Sequence, residues 1–183
     1  MKPVVICGYA RSPFAFATKG ELTKVRPDDL AASVVKALIE RTKVNADDIE
    51  DLLMGCAFPE GEQGLNIARL VVLLAKLPIT IAGATINRFC GSSMQSVHAA
   101  AGAIQMGAGE VFICAGVESM TRIPMSGFNP MPHPLLAESS CAYIGMGQTA
   151  ENVAVKYRIT RKEQEHFAVP SHAKASAAQN AGQ

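Results

Sequence analysis

The sequence has no surplus of either charge: 17 Lys and Arg stand against 16 Asp and Glu, a formal net charge of +1. A nucleic-acid binder would carry a basic excess and a disordered tail an acidic, aromatic-poor composition, so neither class fits. Long hydrophobic runs are also missing. The longest unbroken one, Leu70 to Ala75, is closed off by Arg69 and Lys76, whereas a membrane span needs about 20 such residues. The apolar stretch Val4-Val5-Ile6-Cys7 is too short for the core of a signal peptide and is soon followed by Arg11 and Pro13. The chain therefore reads as cytoplasmic, without a transmembrane helix. Paired cysteines are absent too. Cys7, Cys56, Cys90, Cys114 and Cys141 form no Cys-x-x-Cys, which predicts free thiols and neither a disulfide framework nor a zinc site. No internal repeat, heptad or low-complexity tract is visible.

What is present suffices for a packed core. The 183 residues are 49% hydrophobic and 18% charged, the length of one domain plus a possible extra segment. Pro3 to Gly8 reads as a short buried strand. Pro27-Asp28-Asp29 reads as a helix start, because proline suits the first helical position and carboxylates favour the first turn. Leu30, Val34 and Leu38, with Ala31, Val35 and Ile39, form a broad apolar stripe that carries this helix to about Lys43. Asn45 is suited to cap a short turn through Ile49. Leu52 to Phe58 then reads as an extended buried segment, Asn66 to Ala75 as a helix, and Ile79 to Ile86 as a strand. A small-residue helix follows over 91–106, closed by Gly107 and Gly109, and Val111 to Ala115 is a further strand. Continuous apolar strands separated by helices predict a mostly parallel α/β sheet.

From Met120 to Tyr143 the periodicity disappears, with prolines at 124, 130, 132 and 134. A structureless excursion of that length in a compact domain usually has a functional reason. Helical patterning returns at Met146 to Tyr157. It returns again after Thr160-Arg161-Lys162-Glu163, a capping-box signature, and Pro170 inside that stretch predicts a kink or boundary.

The segment with chemical promise is Asn87-Arg88-Phe89-Cys90-Gly91-Ser92-Ser93-Met94-Gln95. It sets a cysteine between a strand and a helix, where unpaired backbone N–H groups and the helix dipole favour a thiolate. Gly91, Ser92 and Ser93 leave room for a substrate carbonyl to approach sulfur and nearby amides together, as a nucleophile with part of an oxyanion hole would require. The competing reading is one more buried thiol in front of an ordinary helix start.

These nine residues resemble the nucleophile motif of the thiolases, the acyl-CoA C-acyltransferases. Other segments agree with that family in order along the chain: Arg11-Ser12-Pro13-Phe14, Asn66-Ile67-Ala68-Arg69, Gly116-Val117-Glu118-Ser119-Met120-Thr121-Arg122, and Met146-Gly147-Gln148-Thr149-Ala150-Glu151-Asn152. The wording at 118–122 is more similar to degradative and broad-range members than to short-chain biosynthetic ones. The resemblance implies a thiolase-like layered α/β half with the start of an inserted loop domain: residues 1–118 as the N-terminal α/β domain and 119–183 as the partial loop domain. It implies that Cys90 is the catalytic residue, acylated in cleaving a 3-ketoacyl-CoA to acetyl-CoA and a shortened acyl-CoA, or in the reverse Claisen condensation. Met146 falls on the position that lines the acyl pocket, although a helical methionine is more often core filler. Coenzyme A enters as a substrate, with no resident cofactor and no metal.

Thiolases carry further catalytic groups in a second half: a Gly-His-Pro histidine, an Asn-Glu segment and an acid–base cysteine. Neither Gly-His-Pro nor Asn-Glu occurs here, and His98, His133, His166 and His172 read as solvated or locally bonded. The resemblance thus implies the N-terminal part of a thiolase, inactive alone, whose partners are acyl-CoA, CoA, a C-terminal half in the same or a separate chain, and a second copy. Gly145 stands where short-chain biosynthetic relatives carry a histidine, which speaks against a preference for acetoacetyl-CoA. A non-catalytic acyl-CoA or lipid-binding relative is the alternative from another class. A ketoacyl synthase of the same superfamily ranks lower, because its nucleophile context differs.

Overall fold

The computed structural model describes residues 3–182. Three parallel strands form its sheet in the order β2-β1-β3, with β1 at Ile49–Gly55, β2 at Ala82–Ile86 and β3 at Val111–Gly116. Leu52 pairs with Gly83 on one side and Ile113 on the other, and Gly55 pairs with Ile86 and Gly116. All three strands therefore end at the same edge, where loops can converge on a ligand. The α/β class expected from the alternation of elements is the one observed.

The helices α1 (Pro27–Thr42) and α2 (Ile67–Leu74) cover the sheet face that carries Leu52 and Met54. Ala31, Ala32 and Val35 of α1 and Ile67, Ala68, Val71 and Val72 of α2 are buried with them. Each fully buried aliphatic side chain of this kind contributes about 1.5–3 kcal/mol. Pro27 opens α1 as predicted. Arg26, just outside the helix, donates to Asp28 from Nε (3.0 Å) and Nη2 (2.7 Å). Burial alone would raise the Asp28 carboxyl, but these bonds and the Asp29 N–H hold it below the ordinary carboxylate range. Asn45 caps its turn by accepting from the Asp47 N–H at 3.3 Å.

On the opposite face, α3 (Ser92–Met106) lies against β1 and β3. Its buried stripe, Ser92, Ser96 and Ala100, is made of small residues. A Cβ on Gly55 would strike the backbone of Ser92 and Ser93, and one on Gly116 would strike the Ser93 hydroxyl. Both glycines let the first turn of α3 sit directly on the ends of β1 and β3.

The strand expected over Pro3–Gly8 is not formed. Residues 3–16 adopt no regular structure, and Val5 and Ile6 are 71% and 81% exposed. A strand is stabilised by its ladder and not by local preference. This segment is instead held to the end of α1, where Arg41 Nη1 donates to the Tyr9 carbonyl (2.9 Å) and Gly8 abuts Thr42. The outer edge of β3 stays open, and a cavity of about 750 Å3 runs beside it, between Leu30, Val34 and Leu38 of α1 and Met94 and Val97 of α3. That cavity explains why the predicted Leu30-Val34-Leu38 stripe is only half-buried.

The chain divides into two compact units, one reaching to Pro130 and the other starting at Met131. The second holds α4 (Pro134–Ser139), α5 (Met146–Tyr157) and α6 (Arg161–Asn180). The region 120–143 is thus less irregular than expected, because Pro134 occupies the first position of α4, where it costs no hydrogen bond. Tyr143 Oη accepts from the His133 N–H at 3.0 Å. The Thr160–Glu163 capping box is present in both directions. Pro170 does not end the helix: α6 runs through it. The missing N–H leaves a carbonyl one turn earlier unpaired, and on this exposed helix water can satisfy it.

Candidate functional site

The nucleophile candidate lies at the carboxyl edge of the sheet. After β2, residues Phe89–Gly91 form a single 3-10 turn that leads straight into α3. Cys90 sits in this turn and its side chain is exposed, so the buried-thiol alternative does not describe it. The backbone on either side of it is engaged. Ser92 Oγ accepts from the Arg88 N–H (2.8 Å) and donates to the Phe89 carbonyl (2.5 Å). Gly91 N–H donates to the Arg88 carbonyl (3.0 Å), and Asn87 Oδ1 accepts from the Phe89 N–H (2.9 Å). Phe89 adopts φ +45°, left-handed backbone that is costly for a bulky side chain. Its ring rests against Phe58, with centroids 6.0 Å apart.

The loops after β1 and β3 meet behind this turn around a fully buried glutamine that no sequence motif singles out. Gln63 Nε2 donates to Glu118 Oε1 (2.6 Å) and to the Phe58 carbonyl (2.9 Å), while its Oε1 accepts from the Ser119 N–H (2.7 Å). Glu118 Oε2 accepts from the Ala57 N–H (2.7 Å), and Asn87 Nδ2 donates to the Ala57 carbonyl (3.0 Å). Arg122 pairs with Glu62 and holds that carboxyl below its ordinary range. Glu60 Oε2 accepts from the Phe128 N–H (2.8 Å). The motif segment 116–122 therefore ties the two loops together. The only signal for Gln63 in the sequence is its place a few residues past a buried strand.

The other cysteines differ in setting. Burial, with the Glu118 carboxylate beside it, pushes the Cys56 thiol up to about 12. Cys114 lies half-buried in β3, where burial also raises its thiol and Sγ contacts the Ser96 carbonyl at 3.6 Å. Both read as structural thiols. Cys7 and Cys141 are exposed.

Asn66 closes a second set of contacts. It begins α2 in a left-handed conformation, donates to the Gly83 carbonyl (2.8 Å) and accepts from Thr85 Oγ1 (2.9 Å). Arg69 donates to the Ile81 and Ile79 carbonyls. Arg11 stacks over the exposed Phe14 ring at 5.6 Å. Met146 is the first residue of α5, follows Gly145 at the cap and is 70% exposed. Cys90 belongs to the first compact unit and Met146 to the second. Among the described residues, no three His, Cys, Asp or Glu side chains cluster as metal ligands would, and no helix is long and apolar enough to cross a membrane.

Comparison with known proteins agrees with the motifs. The family model described as "Thiolase, N-terminal domain" matches residues 4–183. A 3-ketoacyl-CoA thiolase of Bacillus subtilis is 47% identical over 179 residues, which is 97% of this chain and 46% of that protein. Its namesakes in Idiomarina loihiensis and Aeromonas hydrophila are 41% and 42% identical, covering 96% and 97% of this chain and 46% of each relative. The chain spans about half the length of the curated relatives it matches. A family match over 180 consecutive positions shows that the chain belongs to the thiolase family.

Proposed function

We propose that this chain is the nucleophile-bearing part of an acyltransferase that exchanges acyl groups between a cysteine and coenzyme A. Cys90 sulfur attacks the keto carbon of a 3-ketoacyl-CoA. The S–C bond forms, the bond between the keto carbon and the neighbouring CH2 breaks, and the electron pair leaves on acetyl-CoA as its enolate, which takes a proton from an acid. The thiol of a second coenzyme A then attacks the acyl-cysteine, releasing a shortened acyl-CoA and returning Cys90. Run backwards, the same steps condense two acyl-CoAs.

The observation that carries this reading is an exposed thiol in a braced turn at the carboxyl edge of a parallel sheet, immediately before a helix begins. Such placement leaves the sulfur open to a substrate carbonyl. The names of the relatives, 3-ketoacyl-CoA thiolases, supply the substrate class. In this reading residues 1–118 form the nucleophile domain and 119–183 the beginning of a loop domain over the acyl and pantetheine path, with Met146 on the acyl pocket. The acid and base come from a C-terminal half in the same or a separate polypeptide, and the chain assembles with a second copy. Coenzyme A is a substrate, and no resident cofactor is needed.

The test is turnover of a 3-ketoacyl-CoA with CoA, followed by loss of thioester-enolate absorbance, with this chain supplied alone and together with a C-terminal thiolase half. Turnover only in the combined sample, abolished by Cys90→Ala, is the expected result. Turnover that survives Cys90→Ala would rule out the assigned nucleophile.

A further inference from the structure

We propose that Asn87 is a positioning residue for Cys90: its side-chain amide spans the Ala57 carbonyl and the Phe89 N–H, and so holds the left-handed turn that presents the thiol. The inference rests on the reading of Cys90 as the acyl-accepting nucleophile and adds to it the device that aims the sulfur.

The geometry is a relay of polar contacts. Glu118, braced by buried Gln63, accepts from the Ala57 N–H at 2.7 Å. The carbonyl of the same residue accepts from Asn87 Nδ2 at 3.0 Å, and the other end of that amide, Oδ1, accepts from the Phe89 N–H at 2.9 Å. The loop after β1 thereby becomes the anchor for the turn after β2. An anchor is needed because Phe89 sits at φ +45°, a conformation that costs a non-glycine residue about 1–2 kcal/mol. Strain of this kind persists only where surrounding contacts over-determine it. Ser92 holds the Phe89 carbonyl and the Arg88 N–H from the helix side, whereas Asn87 is the side chain that holds the Phe89 N–H. Without it, Phe89 can relax toward negative φ, and the residue that follows, Cys90, swings with the peptide. Asparagine fits both contacts, because its short side chain bonds the N–H two residues on and its NH2 remains free to reach across to a second loop.

The test compares iodoacetamide labelling rates of Cys90 in the full chain carrying Asn87, Asn87→Ala or Asn87→Ser. The exposed Cys7 and Cys141 serve as reference thiols and the buried Cys56 as a reporter of folding. Asn87→Ala should lower the ratio of Cys90 to Cys141 labelling by about tenfold, the scale of one lost hydrogen bond, with Cys56 still protected. Asn87→Ser should recover most of that loss, because a serine hydroxyl accepts from the N–H two residues on yet is too short to bridge to Ala57. A ratio within twofold of the parent in Asn87→Ala overturns the proposal. So does failure of serine to rescue, which would make the Ala57 tie, and not the Phe89 turn, the residue's role. Should Asn87→Ala expose Cys56, Asn87→Ser decides: a ratio within threefold of the parent supports the assignment and a tenfold fall refutes it. Labelling requires no acyl-CoA, so this outcome is separate from whether Cys90 accepts an acyl group.

Discussion

The two compact units are held together by different means. Up to Pro130 the chain buries a continuous core in which Leu52, Met54, Ile67, Val71 and Ile81 lose nearly all contact with water. From Met131 onward no side chain of α4, α5 or α6 is buried. Those helices rest on local devices: the Thr160–Glu163 capping box, an Arg161–Glu165 pair at 2.7 Å one turn apart, and Gln148 donating to Asn152 at 3.1 Å. Side-chain pairs of this kind stabilise by tenths of a kcal/mol each and a helix cap by about 1 kcal/mol, whereas each fully buried aliphatic side chain contributes about 1.5–3 kcal/mol. The lesson is that the first unit is specified by long-range burial and the second by short-range sequence. Val155, Phe167 and Val169 are apolar side chains exposed for want of cover inside their own unit.

The largest effect that sharpens this contrast is a core truncation. Leu52→Ala should cost about 2–5 kcal/mol in denaturant unfolding, against about 0.5 kcal/mol or less for Val155→Ala. Equal costs would break the comparison and mean that a partner covers α5. Next comes the buried glutamine of the first unit. Gln63→Leu keeps the volume but removes the amide partner of Glu118 Oε1 and of the Ser119 N–H, and should cost about 2 kcal/mol by the same measurement.

A pH effect follows from Cys56. Its thiol is held protonated up to about 12 in the fold against an ordinary 9.0. A raised value favours the folded state fully below the ordinary value, and that advantage is lost as pH climbs from about 9 to about 12, because the unfolded chain ionises first. The stability difference between the parent and Cys56→Ala should therefore shrink by at most roughly 1.4 kcal/mol per pH unit across that window. A difference flat from pH 8 to pH 11 would contradict it. The smallest effect belongs to the second unit. Thr160→Ala should weaken α6 by about 1 kcal/mol, seen as faster amide exchange in its first turn, with exchange in β1 unchanged.

Much of the fold is legible in the sequence, for physical reasons that differ by element. The α1 start is readable because Pro27, Asp28 and Asp29 favour a first turn by themselves, and the α6 start because Thr160 and Glu163 cap reciprocally. The turn at Cys90 is readable from a strand pattern meeting a small-residue helix. Pro3–Gly8 misleads because an apolar run reports burial potential and not the presence of a partner strand. The short α4 is hidden because proline density reads as loop, although Pro134 sits where proline starts helices. Gln63 and the second role of Asn87 are invisible: both depend on loops brought together from separate strands, a relation no local pattern encodes. The tie made by Glu118 is of the same kind, since its motif marks the segment without saying what it bonds.

The central claim, that the Cys90 sulfur accepts an acyl group from coenzyme A, is tested most directly by peptide mass mapping after brief exposure of the chain, with a C-terminal thiolase half, to an acyl-CoA and acid quench. A thioester adduct on the peptide containing Cys90, lost on addition of free CoA, is the predicted result. An adduct on Cys7 or Cys141 instead, or none on the Cys90 peptide while the substrate is consumed, would contradict it.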